Sequence, residues 1–308
     1  MAEWPGRIRA AFVANWPRLL AITQRVFLVV ALFAIAWYLV RHAADLRGLL
    51  SWRVAAHCLI AALLLAAVHP LIAWAFFQLQ RYNGIAIGLS TSLAIYMRRI
   101  PARYVPGGVW HSVSRLADMR LEASVGIAQL RSQFLLEAAL VATSGLLVCG
   151  LGFLILPGGS PARVAAALQA GIGAAVALVT FMLVRRRAGK RRLLFALSTF
   201  LVVWPVAGGA FAIIAAGLAA PDCGYLATVS TYVVAAVQGY VAIFAPQGWG
   251  VTEASFTLFD PCGRALHQVL GAFLLYRFSA IGGDLLGYAV WAFFARRAAV
   301  RPPSTEAD

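Results

Sequence analysis

The sequence predicts an all-α polytopic membrane protein, with about six full spans and two re-entrant helical hairpins in an inverted repeat. Three observations lead there. Hydrophobic residues make up 62% of the 308 and charged residues 12%, against about 25% charged in soluble domains, so the chain lacks the polar surface that water requires. The apolar residues gather into runs long enough to cross a hydrocarbon core, which takes about 20 residues of helix. Two further apolar stretches, one in each half, are broken by Pro and Gly.

Six runs can span, at about 26–40, 54–77, 123–156, 164–184, 193–218 and 266–295. The first has Arg residues before it and Ala34-Ile35-Ala36 near its end, as a signal peptide would. Trp37-Tyr38-Leu39-Val40 nevertheless continues the run and Arg41 follows, so an uncleaved span is expected. The third and sixth runs exceed the bilayer thickness and must tilt, kink or project.

The net charge of +15 is concentrated between these runs, at Arg98, Arg99 and Arg103, at Arg185 to Arg192, and at Arg296, Arg297 and Arg301. Short cytoplasmic loops retain cations in this way. No basic stretch interleaves with aromatics on a soluble domain, which excludes nucleic acid as a partner. The same clusters suit anionic lipid headgroups. Placing loop 185–192 in the cytoplasm puts both termini and 79–122 inside, with 41–53, 157–161 and 219–225 outside. Arg41, Arg47 and Arg53 in loop 41–53 run against the pattern. The expectation is one transmembrane domain in a cell (inner) membrane, with halves at about 1–160 and 161–297 and a cytoplasmic tail 298–308.

The first broken stretch, Gly84 to Met119, is interrupted around Pro106, Gly107 and Gly108; the second, Leu226 to Phe259, around Pro246, Gly248 and Gly250. Pro lacks the N–H that continues a helix and Gly readily adopts positive φ, so each interruption is a turn. The charge map has them on opposite faces, as re-entrant hairpins flanking a midplane site would be. Ordinary loops between surface helices fit the same pattern.

A charge at a helix centre in a bilayer costs about 2.5–3.5 kcal/mol on insertion scales, so the few present are informative. They are Arg115, Glu137, Glu253, Arg277 and Asp284. Arg115 follows a turn whose free N–H groups favour an anion. His111, Ser114, Arg115 and Asp118 form one helical face and Trp110, Val113 and Ala117 the other; for His111 and Asp118 this reads as an amphipathic helix at the interface. Gln129, Gln133 and Glu137 stack at i+4 spacing, a stripe that serves interhelical hydrogen bonds or a wet path. Arg277 and Asp284 share a helix face, beside a Gly283/Gly287 packing motif. Glu253 stands one turn beyond the second break, where the helix dipole favours a carboxylate.

These residues resemble the flippase-like transmembrane domain of lysylphosphatidylglycerol synthases and its stand-alone relatives. The likeness rests on three motifs in family order: Arg103-Tyr104-Val105-Pro106-Gly107-Gly108-Val109-Trp110 with Arg115 and Glu137 following, Pro246-Gln247-Gly248-Trp249-Gly250-Val251-Thr252-Glu253, and Tyr276-Arg277 ahead of Asp284. Thr252 stands where the family pattern has Arg. The chain lacks the aminoacyl-transferring domain, so the resemblance implies movement of a phospho- or glycolipid between leaflets. In that reading Arg115 and Arg277 bind a headgroup phosphate, while Glu137, Glu253 and Asp284 exchange charge partners. An intramembrane enzyme acting on a lipid-linked substrate and a membrane scaffold are the alternatives. No Walker A run, HExxH or metal-ligand spacing occurs, so no cofactor or metal is expected. Cys223 and Cys262 flank the second hairpin in loops expected outside, which proposes a disulfide between them.

Overall fold

The computed structural model describes residues 51–104, 110–184, 189–218, 224–242 and 244–300, with scattered positions between 22 and 41. All regular structure among the described residues is helical. The helices are α1 (Trp52–Tyr82), α2 (Leu89–Arg98), α3 (Trp110–Ala123), α4 (Ile127–Ile155), α5 (Pro161–Val184), α6 (Lys190–Gly217), α7 (Tyr225–Val241), α8 (Val251–Phe259) and α9 (Leu266–Val300). Single 3₁₀ segments lie at Ile100–Tyr104 and Pro246–Gly248.

Five of these, α1, α4, α5, α6 and α9, are long and apolar enough to cross a membrane. They correspond to five of the expected runs; the run at about 26–40 falls largely outside the described residues. Their outer faces carry Leu63, Leu71, Leu154, Leu168 and Phe293, all exposed, which in a membrane meet lipid. The 35 residues of α9 extend about 52 Å at 1.5 Å per residue, well beyond a hydrocarbon core of about 30 Å.

The helix ends are written locally. The Ser51 hydroxyl accepts a hydrogen bond from the Val54 amide at 3.3 Å and caps α1. Ser160 caps α5 by accepting from the Arg163 amide at 3.2 Å, with Pro161 at the first helical position, where its missing N–H leaves no bond unmade. Asn83 ends α1 and ties it to α4: its amide donates to the Leu79 carbonyl and to Gln133 Oε1, and its Oδ1 accepts from Ser132. Gln129 Nε2 donates to the Asn83 carbonyl. The glutamine stripe of α4 therefore serves interhelical hydrogen bonds at this end.

The core pair is α1 against α6, each with an internal proline, Pro70 and Pro205. Helix α9 lies along α1 because Gly283 and Gly287 let the backbones meet. A Cβ at Gly283 would stand 2.7 Å from the Ala62 carbonyl oxygen, and one at Gly287 2.8 Å from the His69 ring. Of the five long helices α5 is the least buried and sits at the periphery.

Two pairs of short helices complete the fold. In the first, α2 and α3 flank the 3₁₀ segment that ends at Tyr104; the turn residues Pro106, Gly107 and Gly108 lie outside the described residues. In the second, α7 is followed by Pro246–Gly248, and Gln247, Gly248 and Gly250 all have positive φ. The chain doubles back there, and Ser255 Oγ donates to Gln238 Oε1 at 2.8 Å between α8 and α7. Buried Thr252 fills the space where the turn crosses α7 at Gly239.

Helix α3 departs from the expectation of a surface helix. Its polar face points inward, with Arg115 and Asp118 buried, while Val113, Ala117 and Leu121 are exposed. The reversal has a direct cause: Arg115 finds Glu137 in the protein interior and Asp118 is covered by the guanidinium groups of Arg98 and Arg99, which leaves the apolar residues to face outward.

Candidate functional site

Arg115, on α3, is 1% exposed. Its Nη2 donates to Glu137 Oε1 on α4 at 2.8 Å and to Ser112 Oγ at 3.3 Å. The guanidinium lies over the Phe76 ring at 4.6 Å and the Tyr96 ring at 5.4 Å, the cation–π geometry that favours a desolvated arginine. Nε and Nη1 are buried with no hydrogen-bond acceptor among the described residues. Buried unpaired N–H groups cost free energy, so this guanidinium has two donors to offer an anion.

Asp284, on α9, meets His69 from α1 and Arg103 from the first 3₁₀ segment. Arg103 Nη1 donates to its Oδ2 at 3.1 Å. His69 Nε2 stands 2.9 Å from Oδ1 but off the hydrogen-bonding direction. The other ring nitrogen of His69 faces the Tyr96 hydroxyl at 3.5 Å. Both His69 and Asp284 are buried, at 1% and 4% exposure.

Glu253, on α8, performs two tasks. Its Oε2 accepts from the Gly250 amide at 2.8 Å, a cap on the helix N-terminus. Its Oε1 accepts from Arg277 Nη2 at 2.6 Å and Nε at 3.0 Å. The Arg277 guanidinium lies 3.8 Å from the Trp249 ring centroid. Trp249, Glu253, Phe273 and Arg277 line a cleft of about 10 Å³, room for a water molecule and no more.

The three pairs meet between the two broken segments. Gln247, at the tip of the second, donates through Nε2 to the Arg103 carbonyl of the first at 2.6 Å. Tyr96 lies within electrostatic reach of Arg103, Arg115, Asp284 and Glu137, and Tyr276 within reach of Arg277, Asp284 and Arg103. Arg115, Glu137, Glu253, Arg277 and Asp284 thus belong to one network, although Arg277 and Asp284 pair with other helices and not with each other. Of the turn residues, Gly248 and Gly250 shape the bend beneath Trp249, while Pro106, Gly107 and Gly108 are outside the described residues.

Sequence reading passed over three members of this network. His69 is an ionisable residue inside an apolar run, which is itself a signal. Arg103 stands among the loop cations and at the head of the first motif, and Tyr96 carries no signal of its own in the sequence. Two further charge clusters lie apart from the centre. Asp118 binds Arg99 and Arg98, the latter at 3.1 Å, and burial, which raises its carboxyl, is outweighed by those hydrogen bonds, so it sits below the usual carboxylate range. Asp260 accepts from Arg264 Nη1 at 2.6 Å, in the loop that also holds Cys262. Cys262 is disulfide-bonded, and Cys58 and Cys149 are free; Cys223 lies outside the described residues.

Among the described residues, no group of three or more His, Cys, Asp or Glu side chains is placed to hold a metal ion. What the site offers is fixed charge, two bare guanidinium donors, and aromatic faces between elements drawn from both halves of the chain. Comparison with protein-family models, with curated proteins and with solved structures finds no match to this chain.

Proposed function

We propose that this protein is a lipid translocase that moves a phospholipid or phosphate-bearing glycolipid between leaflets, as its resemblance to the flippase-like domain of lysylphosphatidylglycerol synthases implies. The observation that carries the reading is the closed network of paired charges between two broken segments, Glu137–Arg115, Asp284–Arg103 and Glu253–Arg277. Charges at membrane depth need a reason. Pairs that exchange partners with a passing headgroup supply one: the headgroup phosphate takes over Arg115 and Arg277 while the tails remain in lipid. Non-helical backbone at such depth is tolerated where it is buried in protein or lines a wet path.

The finer architecture belongs to the same proposal. A long helix, two short helices around a break, and a second long helix occur twice, as α1 to α4 and as α6 to α9. Helices α1 and α6, the corresponding members, pack on one another and both contain proline. These features support six spans and two re-entrant hairpins in an inverted repeat, and the Arg-rich loops support a cell inner membrane with cytoplasmic termini.

Leaflet exchange in proteoliposomes tests the function. Fluorescent phosphatidylglycerol in the inner leaflet becomes accessible to a membrane-impermeant quencher when the protein is present, and not in protein-free vesicles. Arg115→Ala, Glu253→Ala and Arg277→Ala each abolish this. Headgroup release instead of exchange is the signature of an enzyme and overturns the proposal. Topology is tested with Gly108→Cys and Gly248→Cys in a background free of native cysteine: impermeant thiol reagents label them from opposite faces, and labelling from one face removes the inverted repeat.

A further inference from the structure

Among the described residues the pairs of the central network are electrically balanced. Arg103, Arg115 and Arg277 carry three positive charges, and Glu137, Glu253 and Asp284 three negative ones. An anionic headgroup entering this buried site therefore brings an uncompensated charge into a medium that penalises it. One residue can supply the missing positive charge. His69 touches Asp284 at 2.9 Å and is 1% exposed, and imidazole is the side chain whose charge ordinarily changes between about pH 5 and 8.

Resting on the translocase reading, we propose that His69 takes up a proton as the site binds a headgroup of single negative charge, so that transport of a monoanionic phosphodiester lipid is coupled to protons. The groups around His69 fit this role. Asp284 faces it from α9 and Tyr96 from α2, and Arg103 from the 3₁₀ segment shares Asp284 with it. Beyond Tyr96 lie Arg115 and His111 on α3 and Glu137 on α4. Helix α6, on another side of α1, has no ionisable side chain after Arg192. His111 is the other imidazole of the site, and burial together with Arg115 and Arg103 opposes a proton there. Of the two, among the described residues, His69 is the one that stands against a carboxylate.

The distances make the coupling measurable. His69 and the Arg115 guanidinium stand on the same ring, 6.3 Å and 5.4 Å from the Tyr96 centroid. They are no more than about 12 Å apart, at which a unit charge in an effective dielectric of about 20 changes anion binding roughly tenfold. The bare Nε and Nη1 of Arg115 are the donors the anion meets. The charge count also selects the substrate class. A single negative charge restores neutrality with the added proton, a dianionic phosphomonoester overshoots, and a zwitterionic headgroup gains nothing.

Binding of dihexanoylphosphatidylglycerol to the full-length protein in non-ionic detergent tests this, with pH varied and proton uptake followed in weak buffer. The Kd rises roughly tenfold from about pH 5 to about pH 8, and binding takes up about half a proton at the midpoint, as linkage requires for a tenfold coupling. Dihexanoylphosphatidylcholine shows neither effect, and deacylated glycerophosphoglycerol shows the proton uptake only if the free headgroup is itself a ligand. In His69→Gln the pH dependence and the uptake disappear together. Phosphatidylglycerol that binds or is exchanged with no proton uptake and a flat pH profile overturns the coupling and leaves the translocase standing. An equal pH dependence with phosphatidylcholine also overturns it. No binding of any probe and no leaflet exchange overturns the translocase, and the coupling falls with it. The uptake on the unmodified protein decides the coupling even if His69→Gln fails to fold, and His69→Asn then locates the proton.

Discussion

The Arg115–Glu137 pair makes an unequal demand on its two members, and a double-mutant cycle measures it. The Arg115 side chain is 2% exposed and that of Glu137 16%. Glu137→Leu strands a buried guanidinium with no carboxylate, a change that costs about 3–5 kcal/mol when one partner of a buried pair is removed. Arg115→Met strands a carboxylate that is still partly exposed and can hydrate. It forfeits the pair and two ring contacts worth about 0.5–2 kcal/mol each, yet leaves no buried charge behind. Replacing both together, with side chains of similar volume, removes charge and counter-charge at once and lands within about 1 kcal/mol of Arg115→Met alone. The expected coupling energy is therefore at least about 2 kcal/mol. Unfolding in mixed micelles of rising SDS fraction gives the four free energies, and leaflet exchange is measured on the same preparations. The double variant folds and does not transport. If the two single costs add, or Glu137→Leu alone costs less than about 1 kcal/mol, the pair is not the buried unit described here. A double variant that transports removes Arg115 from the headgroup path.

Further predictions are independent of the charge network. Gly283→Ala drives a Cβ to within 2.7 Å of the Ala62 carbonyl oxygen, so it separates α9 from α1 and lowers stability by about 1–3 kcal/mol. Gly282→Ala, whose Cβ would stand 3.9 Å from Ala62, is the neutral control in the same thermal melt. The Asp118 carboxyl is held below its ordinary value, so its contribution to stability is complete above the unfolded pKa of about 3.9 and is lost as pH falls through the folded value. Melting temperatures recorded from about pH 7 down to about pH 3 show that acid limb in the parent protein and lack it in Asp118→Asn. Thiol counting on denatured protein is expected to give two free thiols without reductant and four with it. Four without reductant removes the disulfide at Cys262.

Element existence was legible in the sequence because a chain in lipid must satisfy its backbone within each helix. Runs at 54–77, 123–156, 164–184, 193–218 and 266–295 became five long helices whose ends shifted by a few residues. Those shifts follow local caps such as Ser51 and Ser160, which a hydropathy window does not see. The second break was legible for the same reason: Pro246, Gly248 and Gly250 change the backbone on their own account. The orientation of α3 was not legible. An amphipathic pattern gives two faces and does not say which surroundings each meets; Arg98 and Arg99 at the end of α2 and Glu137 on α4 hold its polar side inward.

The sequence by itself determined that this is a helical protein of the membrane, and it singled out Arg115, Glu137, Glu253, Arg277 and Asp284. Both follow from one-body energetics: apolar residues partition into lipid, and each charge among them stands out against its own run. Only the tertiary structure decided which charges pair. Glu137 with Arg115, Glu253 with Arg277, and Asp284 with both His69 and Arg103 are contacts between helices. The approach of α9 to α1 and the meeting of Gln247 with Arg103 set them. Coulomb attraction depends on distance in space, and distance along the chain gives no measure of it.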